Sequence, residues 1–283
     1  MAIRPDTHQF IADLVLREVA IVLDPSKSYV MEARLSPLLR SEHLQDLEDL
    51  VAQLRAGNSM LQAKVIDALT TNETFFFREV ALFDELRKSV IPELMEKRKS
   101  IKTLNLWCAA CSSGQEPYSI AMALRAYLPL LSGWRMNFIA SDISDKVLQT
   151  AKDGSYNQID INRGLPRDML TRFFIKDGDK WKIKDEIKNM VEFRKVNLNG
   201  QFINFPKLDI IFIRNVLIYF SRDKKIEIFD KMSKILRPDG LVFLSATESA
   251  ISVTNKFDLK RYPSISGYTL KDTHSQSSAR QRA

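Results

Sequence analysis

Residues 107–119, WCAACSSGQEPYS, decide the fold of this chain and carry both of its cysteines. The apolar run TLNLWC ends in this segment and predicts a strand, whereas EPYSIAMALRAYL has helical spacing, with Pro117 in a first turn that tolerates proline. Small residues between the two let the backbone approach a ligand closely. Three interpretations are open here: a nucleotide-binding loop, two inert thiols, or a redox pair at a helix N-terminus.

Short apolar strands and helical stretches alternate on the C-terminal side of this loop. The predicted strands are MNFIASD, VEFRKVNL, LDIIFI and LVFLSAT, with helices in SDKVLQTAKDG and RDKKIEIFDKMSKIL and a Pro-Asp-Gly turn before the last of these strands. Such alternation predicts an α/β fold with a parallel, doubly wound sheet covered on both faces. A ligand of this fold lies at the carboxyl ends of the strands.

Residues 156–190 interrupt the alternation with a crossover that is longer than usual. Within it, FFIKDGDKWKIK places Asp177-Gly178-Asp179 between two short alternating runs, which predicts a hairpin in a small inserted β-subdomain. KFDLKRYPSISGYTLK predicts two closing strands, and residues 272–283 a disordered tail.

The N-terminal quarter of the chain has a different rhythm. From Thr7 to about Leu69 the apolar residues recur at helical spacing, interrupted at residues 24–26, 41 and 57–59. The sequence therefore predicts an all-helical domain over residues 1–75, a helical connector over residues 76–100 and an α/β domain over residues 101–271.

Composition and charge limit the function classes. The chain has 283 residues, is 45% hydrophobic, and contains no apolar run of the roughly 20 residues that span a bilayer. No secretory signal is evident and two cysteines cannot form a disulfide framework, so we expect a cytoplasmic protein without membrane insertion. The net charge is +7, but residues 1–75 hold seven basic and eleven acidic residues. The lysines elsewhere are interspersed with acids, which favours a solvated surface over a nucleic-acid groove.

Asp142 ends the second predicted strand, 28 residues after Gly114. A carboxylate there is placed to accept hydrogen bonds from the two hydroxyls of a ribose, although it could instead cap the next helix. The chain lacks the GxGxxG motif that a pyrophosphate requires. An adenosine cofactor such as S-adenosylmethionine is therefore favoured over NAD.

Five motifs follow one another in the order of a known family: TTNETFFFRE (70–79), SSGQEPYS (112–119), SDIS (141–144), VNL (196–198) and RNVLIYF (214–220). Over residues 10 to 270 the chain resembles the CheR-type chemoreceptor glutamate O-methyltransferases. The resemblance implies a Rossmann-like class I methyltransferase fold with a small inserted antiparallel β-subdomain, preceded by an all-helical N-terminal domain. It also implies methyl transfer from S-adenosylmethionine to glutamate carboxylates of chemoreceptors.

The resemblance carries the family's site residues onto this chain, with no metal ligand among them. It implies cofactor contacts at Asn72, Thr74, Arg78, Glu116, Asp142, Asn197, Leu198, Arg214 and Asn215. Tyr219 matches a tyrosine near the transferred methyl, and Arg78 is expected to hold a carboxylate. Each residue has a plainer alternative: Asn72 and Thr74 could cap a helix starting near Phe75, Arg78 could form a surface ion pair, and Tyr219 could be a core aromatic.

The acceptor chemistry needs no general base, because a glutamate side chain has a pKa of about 4.3 and is already ionised at neutral pH.

We expect glutamate-rich receptor helices to dock on segment 26–40, where Lys27, Arg34 and Arg40 outnumber Glu32, although a solvated face is the alternative. We also expect a monomer. In some members of the family the β-subdomain binds a receptor tether, but the loop KDGDK is short, so no tether binding is expected here.

Three positions depart from the family pattern: Cys108 replaces a serine, Gln115 replaces a glutamate, and residues 246–249 (ATES) differ from the commoner small-His-Ser-Glu form. Two rival functions use the same fold, namely a nucleic-acid methyltransferase and a non-catalytic signalling adaptor. A base methyltransferase would be expected to carry an NPPY-like motif or a catalytic cysteine, and NVLIY is neither.

Overall fold

The structure, a computed structural model, describes residues 3–127 and 129–271. The N-terminal region is helical, with α1 (Pro5–Val19), α2 (Ser28–Ser41), α3 (Leu47–Arg55) and α4 (Ser59–Leu69). The Asp46 and Asn58 side chains cap α3 and α4 by accepting from the backbone N–H groups of Asp49 and Leu61. Apolar residues at helical spacing close the core between the helices, among them the fully buried Ile11, Leu35, Leu50 and Val65.

A second helical stretch leads from this region into the α/β part of the chain. It consists of α5 (Val80–Glu85), one π-helical turn over Leu86–Val90, and α6 (Ile91–Lys97). Val90, Ile91 and Leu94 are fully buried against the sheet. Residues 70–79 cross to this helix without forming a helix themselves.

The seven-stranded main sheet has the order β6-β2-β1-β7-β8-β10-β9. Its strands are β1 (Thr103–Ala109), β2 (Arg135–Asp142), β6 (Val191–Lys195), β7 (Leu208–Ile213), β8 (Leu236–Phe243), β9 (Phe257–Arg261) and β10 (Ser266–Leu270). The first five of these pair in parallel, and β10 pairs antiparallel with β8 and β9. Apolar clusters cover both faces, which is why the strands are apolar runs without strict alternation.

The helices α7 (Gln115–Tyr127), α8 (Asp145–Asp153) and α12 (Arg222–Ile235) connect these strands. Gly154 ends α8 in the left-handed conformation, as the sequence predicts. The Pro-Asp-Gly segment differs from its prediction as a turn. It lies within β8, where the pairing with β7 shifts register between Leu208 and Ile210, so the irregularity is absorbed inside the sheet.

A three-stranded antiparallel sheet of order β3-β5-β4 is inserted between α8 and β6. Its elements are β3 (Ser155–Tyr156), α9 (Gln158–Asn162), α10 (Arg167–Phe173), β4 (Phe174–Asp177), β5 (Lys180–Ile183) and α11 (Asp185–Lys188). The hairpin turns at Gly178 and Asp179, and Gly178 has a φ of +57°. The Tyr156 hydroxyl donates to the Ser113 carbonyl at 2.8 Å, which fastens the insertion to the loop after β1.

The predicted fold class is confirmed: an all-helical N-terminal region precedes an α/β sheet with a small antiparallel insertion. The exact domain boundaries stay predictions, and the predicted tail, residues 272–283, lies outside the described residues. Within residues 3–127 and 129–271, no helix is both long enough and apolar enough to cross a membrane.

Candidate functional site

A cleft of about 850 Å³, counting the space open to solvent at its mouth, lies at the carboxyl ends of β1, β2, β6 and β7. All nine residues expected to contact the cofactor line it, and Tyr219 joins them. Much of the remaining lining is apolar and comes from Val19, Ile21, Ile143, Val196, Val216 and Phe220. The structure therefore brings together predicted site residues that are up to 147 positions apart in the sequence, from Asn72 to Tyr219.

The loop after β1 approaches the cleft with its backbone. Ala110, Ser112 and Gly114 all have positive φ angles, of 54°, 50° and 93°. This winding turns the Ser112 N–H toward Asp142, whose Oδ2 accepts it at 2.8 Å, and the Ser112 hydroxyl donates to the Asn72 carbonyl at 2.7 Å. The run of small residues follows from this geometry, because large side chains are strained in left-handed backbone.

Asp142 is 7% exposed at the end of β2. Burial raises the pKa of its carboxyl, and backbone N–H groups of Ser144, Ser112 and Ile143 act in the opposite direction by donating to the charged form. The N-cap of α8 is Ser144, so the alternative role of Asp142 as that cap is not realised. Each carboxylate oxygen has two lone pairs, so Asp142 keeps acceptor capacity for hydroxyl groups in the cleft.

Arg214 follows β7 and its side chain is fully buried between two carboxylates. Nη1 lies 2.9 Å from Glu116 Oε1, Nη2 lies 3.1 Å from Glu79 Oε2, and Nη2 also donates to the Arg78 carbonyl at 3.0 Å. Burial alone would lower the pKa of the guanidinium, but Glu116 and Glu79 outweigh it and the pKa is raised. The Arg214 Nε–H is buried and has no acceptor among the described residues. A ligand acceptor in the cleft would satisfy it.

Asn72, Thr74 and Arg78 lie on the non-helical crossing segment. The next helix, α5, begins only at Val80, so Asn72 and Thr74 do not cap a helix near Phe75. The Arg78 guanidinium lies 5.4 Å from the centroid of the Phe75 ring. All three side chains are half-buried, as expected of residues at the wall of a cleft.

The segment after β6 joins the cleft to the helical region. Asn197 Nδ2 donates to the Glu18 carbonyl at 2.8 Å, and its Oδ1 accepts from the Asn199 N–H at 2.9 Å. Leu198 is 7% exposed, and its carbonyl accepts from Lys231 Nζ at 2.6 Å. The Asn197 side chain therefore fastens the C-terminal end of α1, a contact that the sequence does not predict.

Two carboxylates that hold residues of the cleft, Glu79 and Glu248, are not among the candidates predicted from the sequence. Glu79 ends the motif TTNETFFFRE, which is the sequence signal that points to it as the partner of a buried cation. Glu248 lies in the segment 246–249, which departs from the family pattern. Its carboxylate accepts backbone N–H groups of the loop that follows β7.

The three expected docking residues lie outside this cleft. Lys27 and Arg34 line a neighbouring cavity of about 810 Å³, which shares Ile21, Thr71 and Tyr219 with the cleft. Arg34 also donates to the Leu69 carbonyl at 2.9 Å and to the Thr71 hydroxyl at 3.0 Å, so it holds the end of α4. Arg40 is exposed and lies six residues further along α2, about 120° around the helix from Arg34.

Cys108 and Cys111 are each 1% exposed and are not joined by a disulfide. Burial raises the pKa of both thiols well above the ordinary value, and nearby carboxylates raise it further. Since the thiolate is the reactive form, the geometry favours inert thiols in a ligand loop over a redox pair. Among residues 3–127 and 129–271, no group of three or more His, Cys, Asp or Glu side chains could hold a metal.

The sheet order, the inserted subdomain and a cleft beside a buried carboxylate after β2 are those of a Rossmann-like, class I methyltransferase fold. Family models agree over nearly the whole chain. "CheR methyltransferase, all-alpha domain" matches residues 6–70, and "CheR methyltransferase, SAM binding domain" matches residues 72–265. The chain belongs to the CheR methyltransferase family, and its cofactor is S-adenosylmethionine.

Curated relatives support the same assignment. A "Chemotaxis protein methyltransferase" of Vibrio parahaemolyticus is 40% identical over 248 residues, which cover 86% of this chain and 89% of the relative. "Chemotaxis protein methyltransferase 1" of Pseudomonas aeruginosa is 37% identical over 243 residues, covering 84% and 88%. A "Chemotaxis protein methyltransferase" of Vibrio anguillarum is 40% identical over 248 residues, which cover 86% of this chain and 89% of the relative.

Proposed function

We propose that this protein transfers the methyl group of S-adenosylmethionine to glutamate side chains of chemoreceptors and forms methyl esters. The observation that carries the proposal is the position of Tyr219, which lines both the cofactor cleft and the neighbouring cavity beside α2. The residue matched to the site of methyl transfer thus stands where a cofactor pocket meets a second pocket, whose charged lining consists of Lys27 and Arg34 against Asp24. An acidic acceptor entering from the second pocket reaches the first at Tyr219.

The residues of the cleft suit S-adenosylmethionine. The volume of the cleft accommodates a molecule of the size of S-adenosylmethionine. The buried Asp142 carboxylate offers acceptors for ribose hydroxyls. Ile143, Val196 and Leu198 provide apolar surface for a base. The unsatisfied Arg214 Nε–H and the nearby Glu116 would hold the charged amino-acid end of the cofactor. The other polar residues assigned to the cofactor line the same cleft, namely Asn72, Thr74, Arg78, Asn197 and Asn215. When bound, the cofactor supplies an electrophilic methyl group on a sulfonium.

The protein's task is orientation and exclusion of water. An ionised carboxylate needs no base, so Tyr219 and Arg78 are assigned to hold the reacting carboxylate in position without taking a proton. Water favours the charged reactants over the neutral ester and thioether products. Val19, Ile21 and Phe220 limit water in the cleft, and two of them come from the helical region.

We infer that glutamate-rich receptor helices dock beside α2 through Lys27, Arg34 and Arg40. Lys27 and Arg34 line the second cavity, which is the side from which the acceptor enters. We further infer a cytoplasmic, monomeric enzyme. The hairpin of the insertion has a two-residue loop, which supports our expectation of no tether binding, and calorimetric titration with receptor C-terminal peptides tests this.

The two rival functions receive less support. The relatives are named as chemotaxis methyltransferases, and all nine residues that the resemblance implies as cofactor contacts line one cleft, an arrangement that a non-catalytic adaptor does not require. No observation favours a nucleic-acid substrate over a protein.

A methyl-transfer assay tests the proposal directly. Labelled S-adenosylmethionine is incubated with the full-length protein and a receptor cytoplasmic fragment, and the product is treated with alkali. We expect label on the fragment that base releases, because a carboxyl ester hydrolyses whereas an N-methyl group is stable. A matched fragment with glutamine in place of its methylation-helix glutamates should stay unlabelled. Alkali-stable label, or equal labelling of both fragments, would contradict the proposal.

A further inference from the structure

We propose that Glu248 is a positioning residue of the methyl-transfer site, an inference that rests on the proposed function. Its carboxylate is the anion around which the loop after β7 folds. That loop, residues 214–220, supplies Arg214, Asn215 and Tyr219 to the cleft. Glu248 itself does not line the cleft, so it acts through the loop.

The Glu248 carboxylate accepts five hydrogen bonds. Oε1 accepts from the backbone N–H groups of Val216 and Leu217, at 3.1 and 2.8 Å. Oε2 accepts from the Asn215 N–H at 2.9 Å, from the Ser245 N–H at 3.1 Å and from the Ser245 hydroxyl at 2.7 Å. The one side chain thus bridges the segments that follow β7 and β8.

Three successive N–H groups that converge on one anion form a concave backbone nest. Such a winding needs a left-handed residue, and Asn215 has a φ of +59°. Without the carboxylate, the three N–H groups would lose a shared acceptor and the strained backbone at Asn215 would lose its compensation. The loop would then relax, and we expect Tyr219 to move with it, because Tyr219 lies only two residues beyond the last of these N–H groups.

The two ends of the loop are held by different partners. Arg214 is fixed by Glu116 and Glu79, and the Tyr219 carbonyl accepts from the Val22 N–H at 3.1 Å. Glu248 therefore controls the middle of a loop whose two ends are fastened independently. Its removal is expected to disturb the aim of Asn215 and Tyr219 more than the fold as a whole.

The decisive variants are Glu248→Gln and Glu248→Ala in the full-length protein. The amide of Glu248→Gln keeps one acceptor oxygen but turns an N–H₂ group toward the remaining N–H and O–H donors. We therefore expect kcat to fall about tenfold or more and the cofactor Kd to rise about three- to tenfold. The folded fraction at the assay temperature should stay unchanged. Glu227→Gln on α12 is the matched control, because that carboxylate is exposed and pairs only with Lys224 among the bonds described.

Chemical rescue separates a positioning anion from a merely structural one. Formate added to Glu248→Ala should restore much of kcat and cofactor affinity, whereas chloride at the same ionic strength should not. Loss of kcat only in proportion to lost folded protein, no rescue by formate, or a Glu248→Gln enzyme within about twofold of the unmodified enzyme would overturn the proposal. If Glu248→Ala does not fold, Glu248→Gln decides alone.

The cofactor Kd is measured by calorimetry without any receptor. A wild-type protein that forms no methyl ester on receptor fragments would refute the proposed function, whereas an unchanged Kd in Glu248→Gln would refute the role of Glu248. The two failures are therefore distinguishable.

Discussion

The backbone N–H of Val22 donates to the carbonyl oxygen of Tyr219 at 3.1 Å, so the helical N-terminal region is fastened to the loop that carries the tyrosine of the site. A β-bridge between Ile21 and Phe220 continues this contact. Val19 and Ile21 also line the cleft. The helical region therefore forms one wall of the site in addition to any role in docking.

Removing the Tyr219 hydroxyl tests whether this residue orients the reactants. Tyr219→Phe keeps the ring and the backbone bond to Val22, so we expect kcat to fall about tenfold with cofactor affinity within about twofold of the original. Calorimetry and steady-state kinetics check both values. Tyr262→Phe is the control, since that tyrosine is half-buried between β9 and β10 and lines neither cavity. If Tyr219→Phe instead removes a pH-dependent step from the rate of the unmodified enzyme, Tyr219 takes a proton and the mechanism without a base is wrong.

Asp142 is expected to control cofactor affinity and its pH dependence. Asp142→Asn should weaken cofactor binding about tenfold or more, because hydrogen bonds to a charged acceptor are stronger than those to an amide. Burial raises the pKa of Asp142 above the ordinary 3.8, so its proton is bound at higher pH than that of an exposed aspartate. Cofactor affinity should therefore decline as the pH is lowered, whereas the contribution of this group to folding stability increases in the same direction.

Calorimetry between about pH 8 and about pH 5 measures this pH dependence. Asp145→Asn provides the control, because Asp145 is 72% exposed and pairs with Lys195. Equal pH profiles for the unmodified protein and Asp142→Asn would show that another group is responsible.

The buried Arg214 should be the most sensitive residue of the site for stability. Arg214→Lys keeps the positive charge but has no planar fork with which to reach Glu116 and Glu79 at once, so at least one carboxylate would lose its direct partner. We expect the free energy of unfolding to fall by about 3 kcal/mol. Urea denaturation measures the loss. Arg194→Lys, which affects a more exposed pair with Glu192, should cost less than about 1 kcal/mol, and a similar loss in both variants would argue against a special role for Arg214.

The sequence predicted most of the fold because its information is local. The apolar runs gave the strands, and Gly154 and Asp177-Gly178-Asp179 marked a helix end and a hairpin. Ligands of a parallel sheet lie at the carboxyl ends of its strands, and this rule together with the family motifs predicts that the site residues group there. What could not be predicted depends on distant contacts: the fastening of Asn197 to α1, the use of Arg34 to hold the end of α4, and the enclosure of Arg214 by Glu79. Each of these contacts joins residues from separate elements of the fold, and a short sequence motif does not predict such a contact.

The two cysteines are expected to be chemically silent in the folded protein. Because burial raises the pKa of both thiols, they stay protonated at neutral and mildly alkaline pH. A thiol reagent should modify neither residue until the protein is denatured, and Cys108→Ser should keep its activity. Thiol counting with and without denaturant makes this measurement. Reversible inactivation by a mild oxidant, prevented by Cys108→Ser, would restore the redox interpretation.

Charge reversal on α2 and on the residue that precedes it tests the docking of acidic receptor helices. Lys27→Glu and Arg40→Glu should each raise the KM for a receptor fragment about three- to tenfold at low salt, with kcat and cofactor affinity unchanged, because exposed charges mainly affect encounter with the partner. The effect should shrink at high ionic strength as these charges are screened. Arg34→Glu is less informative, since Arg34 also holds the Leu69 carbonyl. Arg125→Glu, near the C-terminal end of α7, makes the same charge change away from the cleft. If Arg125→Glu raises KM as much as Lys27→Glu does, the effect is one of net charge and α2 is not the docking surface.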